Sequence, residues 1–276
     1  MEQHINYATS VTSMFTSIVR NRRLIFQLAR REVIGRYQGS MMGLMWSFLN
    51  PIFMLIVYTI FFSVFLKARW SISGEETHAD YSIILFIGLI LNGLFSECVS
   101  RAPTLIVSNA NYVKKVVSPL EIFPCIAVLS ALFHVGVSIA VLLIAQIILN
   151  HWLSWSLIFF PIVILPFIFL ILGLTWFLAA LGVYIRDIAQ LTVVFTTVML
   201  FMSPVFFPIA SLPARIQPWL LLNPLTFIVE QSRNIFFHAA LPDWTGLGIY
   251  SLVSLTIAWL GFWWFQKTRE GFADVL

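Results

Sequence analysis

The 276-residue sequence contains little charge. Lys, Arg, Asp and Glu together make up 10% of it, whereas hydrophobic residues make up 60%. A water-soluble domain usually carries about 25% charged residues. The interior of a soluble domain cannot account for this much apolar sequence, so the composition excludes a soluble protein and predicts a polytopic membrane protein.

Cysteine is scarce as well. Cys98 and Cys125 both lie in or beside apolar segments. Two such residues do not make a disulfide framework, and buried, unreactive thiols are the better interpretation. Residues 1–19 contain no continuous apolar core, so the sequence predicts no cleavable signal peptide and leaves membrane targeting to the first spanning segment.

Three motifs of catalytic chemistry are also missing from the sequence. No glycine is followed by lysine, although a Walker A phosphate loop needs that pair. The five histidines show no metal-binding spacing with one another or with the cysteines, and there is no Gly-x-Ser-x-Gly elbow. We therefore expect no catalytic residue, metal or cofactor in this chain. Energy for transport must then come from another polypeptide, or the pore is passive.

Long apolar runs are what the sequence does contain. A bilayer core of about 30 Å needs about 20 helical residues to cross it. Six segments reach that length: 43–66, 81–100, 122–149, 156–183, 189–207 and 246–265. These runs predict an all-α protein with six transmembrane helices.

Positive charges fall unevenly on the two sides of these segments. Six crossings place both termini on one side, and all but four of the 16 Lys and Arg lie there. The four on the opposite side are Lys67, Arg69, Arg215 and Arg233. The positive-inside rule therefore predicts cytoplasmic termini, with the acidic stretch at 75–80 facing outward. Because the basic residues flank apolar segments, they indicate membrane topology and no nucleic-acid partner.

The segment before the first span, residues 20–37, is predicted to be an amphipathic interfacial helix. Its apolar residues, among them Ile25 and Val33, lie on one arc of a helical wheel, with Arg23 and Arg31 opposite. Such a helix either anchors on anionic lipid headgroups or also contacts a cytoplasmic partner. The candidates for the partner contact are Arg31, Glu32 and Arg36.

The loop between the second and third spans, residues 101–124, is longer and more apolar than a connector needs. A short helix is expected at 104–117, ended before Pro119 because proline disfavours helix at the preceding residue. Its mixture of charge and apolar surface suits docking into a groove of another protein, and a plain connector is the alternative. The candidate contacts are Tyr112, Lys114 and Lys115.

The outer region, residues 207–245, is too apolar for a solvated loop and too rich in proline to span the membrane. Two short re-entrant half-helices within 212–239, near 212–222 and 225–239, fit it better. Such helices are tolerated at membrane depth where protein covers their ends. We interpret the region as a lid at the outer mouth of a conduit.

Four polar or turn-forming residues stand out in this lid. Asn223 and Pro224 separate the two half-helices, and proline suits the first turn of the second one. Glu230 and Arg233 stand three residues apart, which places them on one helix face. A structural ion pair is favoured for them over a direct substrate contact.

Five stretches of sequence, taken in order, resemble a known family: RREVIGRYQGSMMGLMWSFLNP, NANYVKKVVSPLEIFP, GVYIRDIAQ followed by SPVFFP, LLNPLTFIVEQSRN, and the tail FADVL. Together they resemble the membrane subunit of polysaccharide-exporting ABC transporters. This group includes the O-antigen permeases, with capsule and wall teichoic acid permeases as relatives. The first stretch is closer to the O-antigen and teichoic acid permeases than to the capsule ones.

The resemblance implies a homodimer in the inner (cytoplasmic) membrane, bound to two copies of a separate P-loop ABC ATPase that holds ATP and Mg²⁺. The implied cargo is a lipid-linked polysaccharide, with O-antigen favoured, moved from the cytoplasm to the periplasm. The resemblance also implies roles for three regions. Residues 20–37 lie against the ATPase, 104–117 form the coupling helix, and 212–239 form the periplasmic gate.

Aromatic residues on two spans are candidates for lining the conduit. Sugar rings stack on aromatic rings, so a sliding polymer is best served by many weak aromatic contacts and few charges. The candidates on the first and fifth spans are Trp46, Asn50, Phe53, Phe61, Phe195, Met199, Met202 and Phe206. With 26 phenylalanines in the chain, such stripes also arise by chance and then face lipid or neighbouring helices.

Other functions stay open from the sequence alone. The same architecture also suits export of teichoic acid, capsule or a drug. A secondary transporter or channel that needs no ATPase is favoured by internal inverted repeats, which are not evident between 1–140 and 141–276. Its coupling carboxylate would be Glu97, but this residue stands close to Arg101 at a span end, which indicates a boundary carboxylate. A glycan-modifying enzyme would need catalytic paired carboxylates or a catalytic lumen-facing histidine, and the sequence indicates neither.

Overall fold

The computed structural model describes residues 9–65, 78–115 and 119–276. All regular secondary structure in these ranges is helical, which confirms the coarse prediction of an all-α protein. The α-helices are α1 (Val11–Arg20), α2 (Arg22–Arg36), α3 (Trp46–Tyr58), α4 (His78–Arg101), α5 (Ala110–Lys115), α6 (Ile122–Asn150), α7 (Phe160–Tyr184), α8 (Ile188–Phe201), α9 (Gln217–Leu221), α10 (Pro224–Phe237), α11 (Trp244–Thr268) and α12 (Phe272–Val275).

Five helical segments of the described residues are long and apolar enough to cross a membrane. They overlap the predicted spans at 43–66, 81–100, 122–149, 156–183 and 246–265, although residue 66 lies outside the described residues. The five segments are Gly43–Phe62, Tyr81–Thr104, Ile122–Leu149, Trp155–Tyr184 and Trp244–Val275. The chain is therefore a polytopic membrane protein.

The segment predicted as a span at 189–207 differs from the other five. Its helix, α8, has 14 residues and ends at Phe201, so it is about 21 Å long, shorter than the hydrocarbon core of about 30 Å. Turns follow it as far as Phe207. The cause is Pro204, because proline disfavours helix at the residue before it and has no N–H to donate.

Helix α4 forms the centre of the bundle. It packs against α6, α7, α8 and α10, and 78% of its apolar window is buried within the chain, against 11% for the segment that contains α3. Its fully buried side chains include Leu91, Leu94 and Phe95. Helix α3 lies over α4 and α6 and leaves most of its apolar surface uncovered.

Close helix contacts fix the second half of the bundle. Helices α7 and α11 meet at Gly173 and Gly261, where an added Cβ on either residue would overlap the backbone of the other helix. Small residues permit this approach between membrane helices. Gly182 of α7 lies equally close to the backbone of Pro103. The inner loop after α4 is thereby held against the end of α7.

Two helices, α1 and α2, precede the first span where the sequence predicted one at 20–37. Ser10 caps the start of the first, because its hydroxyl accepts a hydrogen bond from the N–H of Ser13 (3.1 Å). The second packs on α6 through Ile25, Ala29 and Val33, which recur every four residues and are buried. The chain then turns toward α3 through left-handed glycines at positions 39 and 43.

The inner loop and the outer region are both built from short helical pieces. The predicted helix at 104–117 is broken into 3₁₀ turns at Ala102–Thr104 and Val107–Asn109 followed by α5, and residues 116–117 lie outside the described residues. In the outer region, α9 and α10 occupy the places of the two predicted half-helices. The second of them begins at Pro224, the expected first-turn proline.

Candidate functional site

Four charged residues form a chain of ion pairs where α2 meets the inner end of α4. Nη2 of Arg36 lies 2.5 Å from Oε1 of Glu97, and Arg101 bridges Glu97 (3.6 Å) and Glu32 (2.7 Å). We call Glu32, Arg36, Glu97 and Arg101 the inner charge cluster. Their side chains are 25–35% exposed, so solvent screens these pairs and each contributes about 0–1 kcal/mol.

The inner charge cluster affects several predicted roles. Glu32 and Arg36, two predicted contacts of a cytoplasmic partner, bind Arg101 and Glu97 of their own chain. The pairing of Glu97 with Arg101 agrees with its interpretation as a boundary carboxylate. The cluster thus ties α2 to α4, while solvent still reaches it.

The other predicted partner contacts lie beside this cluster. Nη2 of exposed Arg31 lies 3.5 Å from the hydroxyl of Tyr112 on α5, so the structure brings these two residues together. The side chains of Lys114 and Lys115 lie outside the part that the structure describes. A groove of about 320 Å³ separates α2 from the turns before α5, and Arg31 contributes to its lining. This surface is concave and carries the charged side chains of Arg31, Glu32 and Arg101.

Glu121 is a second charged centre at the inner end, and the sequence analysis missed it. Its carboxylate accepts hydrogen bonds from Ser17 of α1 (2.9 Å) and from Arg269 after α11 (2.7 Å). Its backbone carbonyl accepts another from the indole of Trp176 on α7 (2.9 Å). Both charged side chains of the pair are 11% exposed. A lone carboxylate directly before an apolar span was the available signal, but no local spacing points to Arg269.

At the outer end, a buried guanidinium fastens α10 to the rest of the bundle. Arg233 is 2% exposed and donates to the backbone carbonyls of Ile84 (3.3 Å), Pro204 (2.5 Å) and Val205 (2.9 Å). The expected ion pair with Glu230 is present at 3.1 Å, but most of these hydrogen bonds go to backbone. Burial of this charge is tolerated because the guanidinium N–H groups donate hydrogen bonds to these acceptors.

Gly88 leaves room for this guanidinium on α4. A Cβ added there would stand 3.1 Å from Nη2 of Arg233 and 3.2 Å from Val205. That is tighter than an ordinary van der Waals contact, so any side chain would displace the guanidinium or the turn after α8. The sequence alone gave no reason to connect a glycine of the second span with an arginine 145 positions later.

Asn223 makes a second attachment at the outer end. Its Nδ2 donates to the carbonyls of Met199 (3.0 Å) and Met202 (3.0 Å), which end α8. Its Oδ1 accepts from the N–H of Leu225 (2.9 Å), which caps the start of α10. One side chain therefore satisfies the end of one helix and the beginning of the next.

The far end of α10 is bound to the outer ends of two further spans. Gln146 of α6 donates to the carbonyl of Phe236 (2.9 Å), and Ser156, just before α7, donates to the carbonyl of Ile235 (2.8 Å). These carbonyls belong to the last turn of α10, which has no intrahelical donors for them. The outer helices are thus integrated into the bundle by side chains that donate to backbone.

The predicted channel-lining residues divide into two groups. Met199 and Phe206 are partly buried within the chain; Phe206 stacks on Phe62 with 6.3 Å between the ring centroids. The other six leave a large part of their surface uncovered: Trp46, Asn50, Phe53, Phe61, Phe195 and Met202. The structure therefore supplies an uncovered, largely apolar and aromatic surface on α3 and α8, interrupted by few polar groups.

A partly polar cavity of about 310 Å³ lies beneath α3. Asn50, Glu97 and His134 are among its lining residues. The hydroxyl of Tyr37, at the end of α2, is 3.4 Å from Nδ1 of His134. Burial raises the pKa of Tyr37, and nearby Arg36 opposes this shift less strongly, so the phenol is neutral at physiological pH.

These features define a class of protein: a helical, polytopic membrane protein with an uncovered apolar flank and polar attachments at both ends of its bundle. Residues 23–237 match the ABC-2 type transporter family. The chain belongs to that family, which confirms the resemblance drawn from its sequence motifs.

Named relatives share nearly the full length of the chain. It is 28% identical over 255 residues to the O-antigen export system permease protein RfbA of Myxococcus xanthus, covering 92% of this chain and 95% of the relative. The protein of the same name from Klebsiella pneumoniae is 20% identical over 254 residues with the same coverages. The polysialic acid transport protein KpsM of Escherichia coli is 25% identical over 253 residues, covering 87% and 91%.

Proposed function

We propose that this chain is the membrane subunit of an ABC exporter that moves lipid-linked polysaccharide, with O-antigen as the favoured cargo, from the cytoplasm to the periplasm. Full-length similarity to O-antigen export permeases within the ABC-2 family carries the proposal. ATP and Mg²⁺ are bound by a separate ATPase chain. Capsular polysaccharide is the second candidate cargo, because the polysialic acid transport protein is also similar over most of its length.

In this proposal the chain crosses the inner membrane six times, with both termini cytoplasmic. Support for a crossing by α8 comes from its contacts along α4. Phe195 lies beside Phe95 (6.3 Å between centroids), and the hydroxyl of Tyr81, at the outer end of α4, donates to the carbonyl of Phe206 (2.9 Å). The helix and the turns after it therefore follow α4 over most of its length.

The surface between α2 and α5 is the proposed docking site for the ATPase. Arg31 lines the groove there, and its guanidinium lies 3.5 Å from the hydroxyl of Tyr112 on α5. Lys114 and Lys115, which belong to the same helix by sequence, are the further candidate contacts. Movement of the docked ATPase would reach the central span through the inner charge cluster, because Glu32 and Arg36 join α2 to α4. Screened ion pairs of this kind exchange partners at small cost.

The uncovered flanks of α3 and α8 are the proposed walls of the conduit, completed by a second copy of the chain. Trp46, Phe53 and Phe195 are 42%, 54% and 44% exposed, although aromatic side chains favour burial. In a homodimer these rings would face a shared passage and give a sliding glycan weak stacking contacts. Helices α9 and α10 would then cover its periplasmic mouth.

Reconstitution of transport tests the proposed function. Deletion in a strain that makes the lipid-linked glycan should leave the cargo inside the cell, and the wild-type gene should restore it to the surface. Purified chain and ATPase in vesicles should move the glycan only with ATP. Transport by this chain alone would contradict the proposal and favour a secondary transporter or channel. Loss of capsule with O-antigen unaffected would select the second cargo.

The docking role has its own test. Replacement of Lys114 and Lys115 together by Glu should separate ATP hydrolysis from export, with Lys267→Glu as a matched charge reversal elsewhere on the inner side. Full transport by a stably expressed double variant would contradict the docking role.

The conduit has a parallel test. Replacement of Trp46 and Phe53 by Ala should alter glycan export at normal complex levels, with Trp263→Ala on α11 as the control. Normal surface glycan at normal protein level would remove these two residues from the conduit.

A further inference from the structure

The two flanks of α2 have different surroundings. One flank carries Arg31 and Glu32, which make contacts within the chain at α5 and the inner charge cluster. The opposite flank carries Phe26, Arg30 and Ile34, which are four residues apart and so form one stripe along the helix. The residues of the first flank therefore have polar partners within the chain, whereas the second flank has no ion pair among the described residues.

A groove of about 570 Å³ lies along this second flank, and we call it the α2 groove. Its wall on α6 is formed by Leu129, Leu132 and Phe133, and Leu44 contributes from the segment before α3. On α2 itself, Phe26 is 63% exposed. Apolar surface of this extent beside an interfacial helix suits contact with hydrocarbon and not with water.

Arg30 supplies the charge at the α2 groove. It lines the groove and is exposed. Among the described residues, the ion pairs formed at α2 involve Glu32 and Arg36, and none involves Arg30. A guanidinium in this position offers two parallel donors that match a phosphate. The groove therefore combines an apolar channel with a single uncompensated cation.

We propose that the α2 groove binds an anionic phospholipid. An acyl chain lies along Leu129, Leu132 and Phe133, and the lipid phosphate lies at Arg30. The occupant follows from the chemistry, because an apolar channel takes hydrocarbon and the uncompensated cation beside it takes a negative headgroup. The bound lipid would fix the second flank of α2, as the ion pairs fix the first. This inference does not depend on the cargo of the exporter.

Native mass spectrometry of the full-length chain in detergent, titrated with phosphatidylglycerol or phosphatidylcholine, tests the proposal. Phosphatidylglycerol should bind more tightly, and Arg30→Gln should weaken it about tenfold, which corresponds to about 1.4 kcal/mol. The matched control is Arg22→Gln, which removes the same charge from α2 outside the groove. Leu132→Trp should abolish retention by filling the groove, with Ile144→Trp as the equivalent change on an exposed part of α6.

Each outcome of this titration supports or overturns the proposal. Equal affinity for the two lipids, or retention of phosphatidylglycerol by Leu132→Trp, would overturn it. If that variant fails to fold, Leu44→Trp fills the same groove from the other side. Displacement of phosphatidylglycerol by a polyprenyl diphosphate, but not the reverse, would assign the groove to a carrier lipid and also overturn the proposal.

Discussion

The outer and inner ends of the bundle are both fastened by arginine, but the arginines bind different groups. At the outer end, Arg233 is 2% exposed and donates to three backbone carbonyls. At the inner end, Arg36 and Arg101 bind carboxylates, and about a third of each side chain is exposed. A buried cation held by several fixed carbonyls must lose all of these hydrogen bonds to move, whereas exposed carboxylates can exchange their partners.

This difference leads us to expect a rigid outer end and an inner end that rearranges more easily. Leaving a buried carbonyl without a donor costs about 1–3 kcal/mol, so the outer attachment resists opening. An exposed ion pair contributes about 0–1 kcal/mol and is screened by salt, so the inner attachment rearranges easily. We expect substitutions at the outer end to reduce stability, and those in the inner charge cluster to affect transport first.

The largest expected effect tests the outer attachment. Arg233→Met should lower the free energy of unfolding by about 3 kcal/mol or more, because three buried carbonyls lose their donors. Denaturant titration in detergent micelles measures it. Arg215→Met, which removes an exposed arginine from the same outer region, is the control. If the two variants lost similar free energies of unfolding, burial of the guanidinium would not explain the strength of the outer attachment.

The next effect concerns an inner pair that is buried like the outer one. Glu121→Gln should cost roughly 2 kcal/mol, because Arg269 loses a charged acceptor and hydrogen bonds to charged groups contribute about 1.5–3 kcal/mol. Asp274→Asn, an exposed change in the same C-terminal region, should be nearly neutral. If Glu121→Gln is as mild as the control, position in the membrane and not burial decides the strength of an attachment.

A smaller effect separates the two functions of Asn223. Asn223→Ser keeps an N-cap acceptor for the N–H of Leu225 but loses the amide donors to the carbonyls that end α8. Asn223→Ala loses both and should cost about 1 kcal/mol more than the Ser variant, the usual value of an N-cap. Thermal unfolding of the two variants measures the difference. Equal stabilities would assign the whole contribution to the α8 carbonyls.

The smallest effect on stability is expected in the inner charge cluster. Arg36→Gln should change the free energy of unfolding by less than about 1 kcal/mol, and raised salt should reduce this difference. Export should nevertheless fall, because α2 loses an attachment to α4. The charge exchange Arg36→Glu with Glu97→Arg should partly restore export. A stability loss as large as that of Arg233→Met would erase the contrast between the two ends.

The sequence predicted those features that depend on neighbouring residues. Five long apolar helices lie where hydrophobic runs indicated them, and α10 starts at Pro224, the proline expected in its first turn. The pair of Glu230 with Arg233 follows from a spacing of three residues. The end of α8 was placed too late, at 207, because the apolar run continues past the proline that breaks the helix.

Long-range partners were beyond reach of the same reasoning. Arg233 donates to a carbonyl on the second span, and Glu121 binds an arginine 148 positions away. Neither partner is marked by residue type or by spacing. The sequence did not predict α1, because its ten residues are amphipathic and partly polar and do not form a continuous apolar run.

Sequence alone determined that this is a membrane protein and where its five long apolar helices lie, because runs of about 20 apolar residues are typical of helices that cross a bilayer. Only the tertiary structure determined which arginines bind partners within the chain. Arg36 and Arg233 are bound within the chain, while Arg30 lines an apolar groove with no carboxylate paired to it among the described residues. Ion pairing depends on distances between residues far apart in the chain, and only packing of the helices fixes those distances.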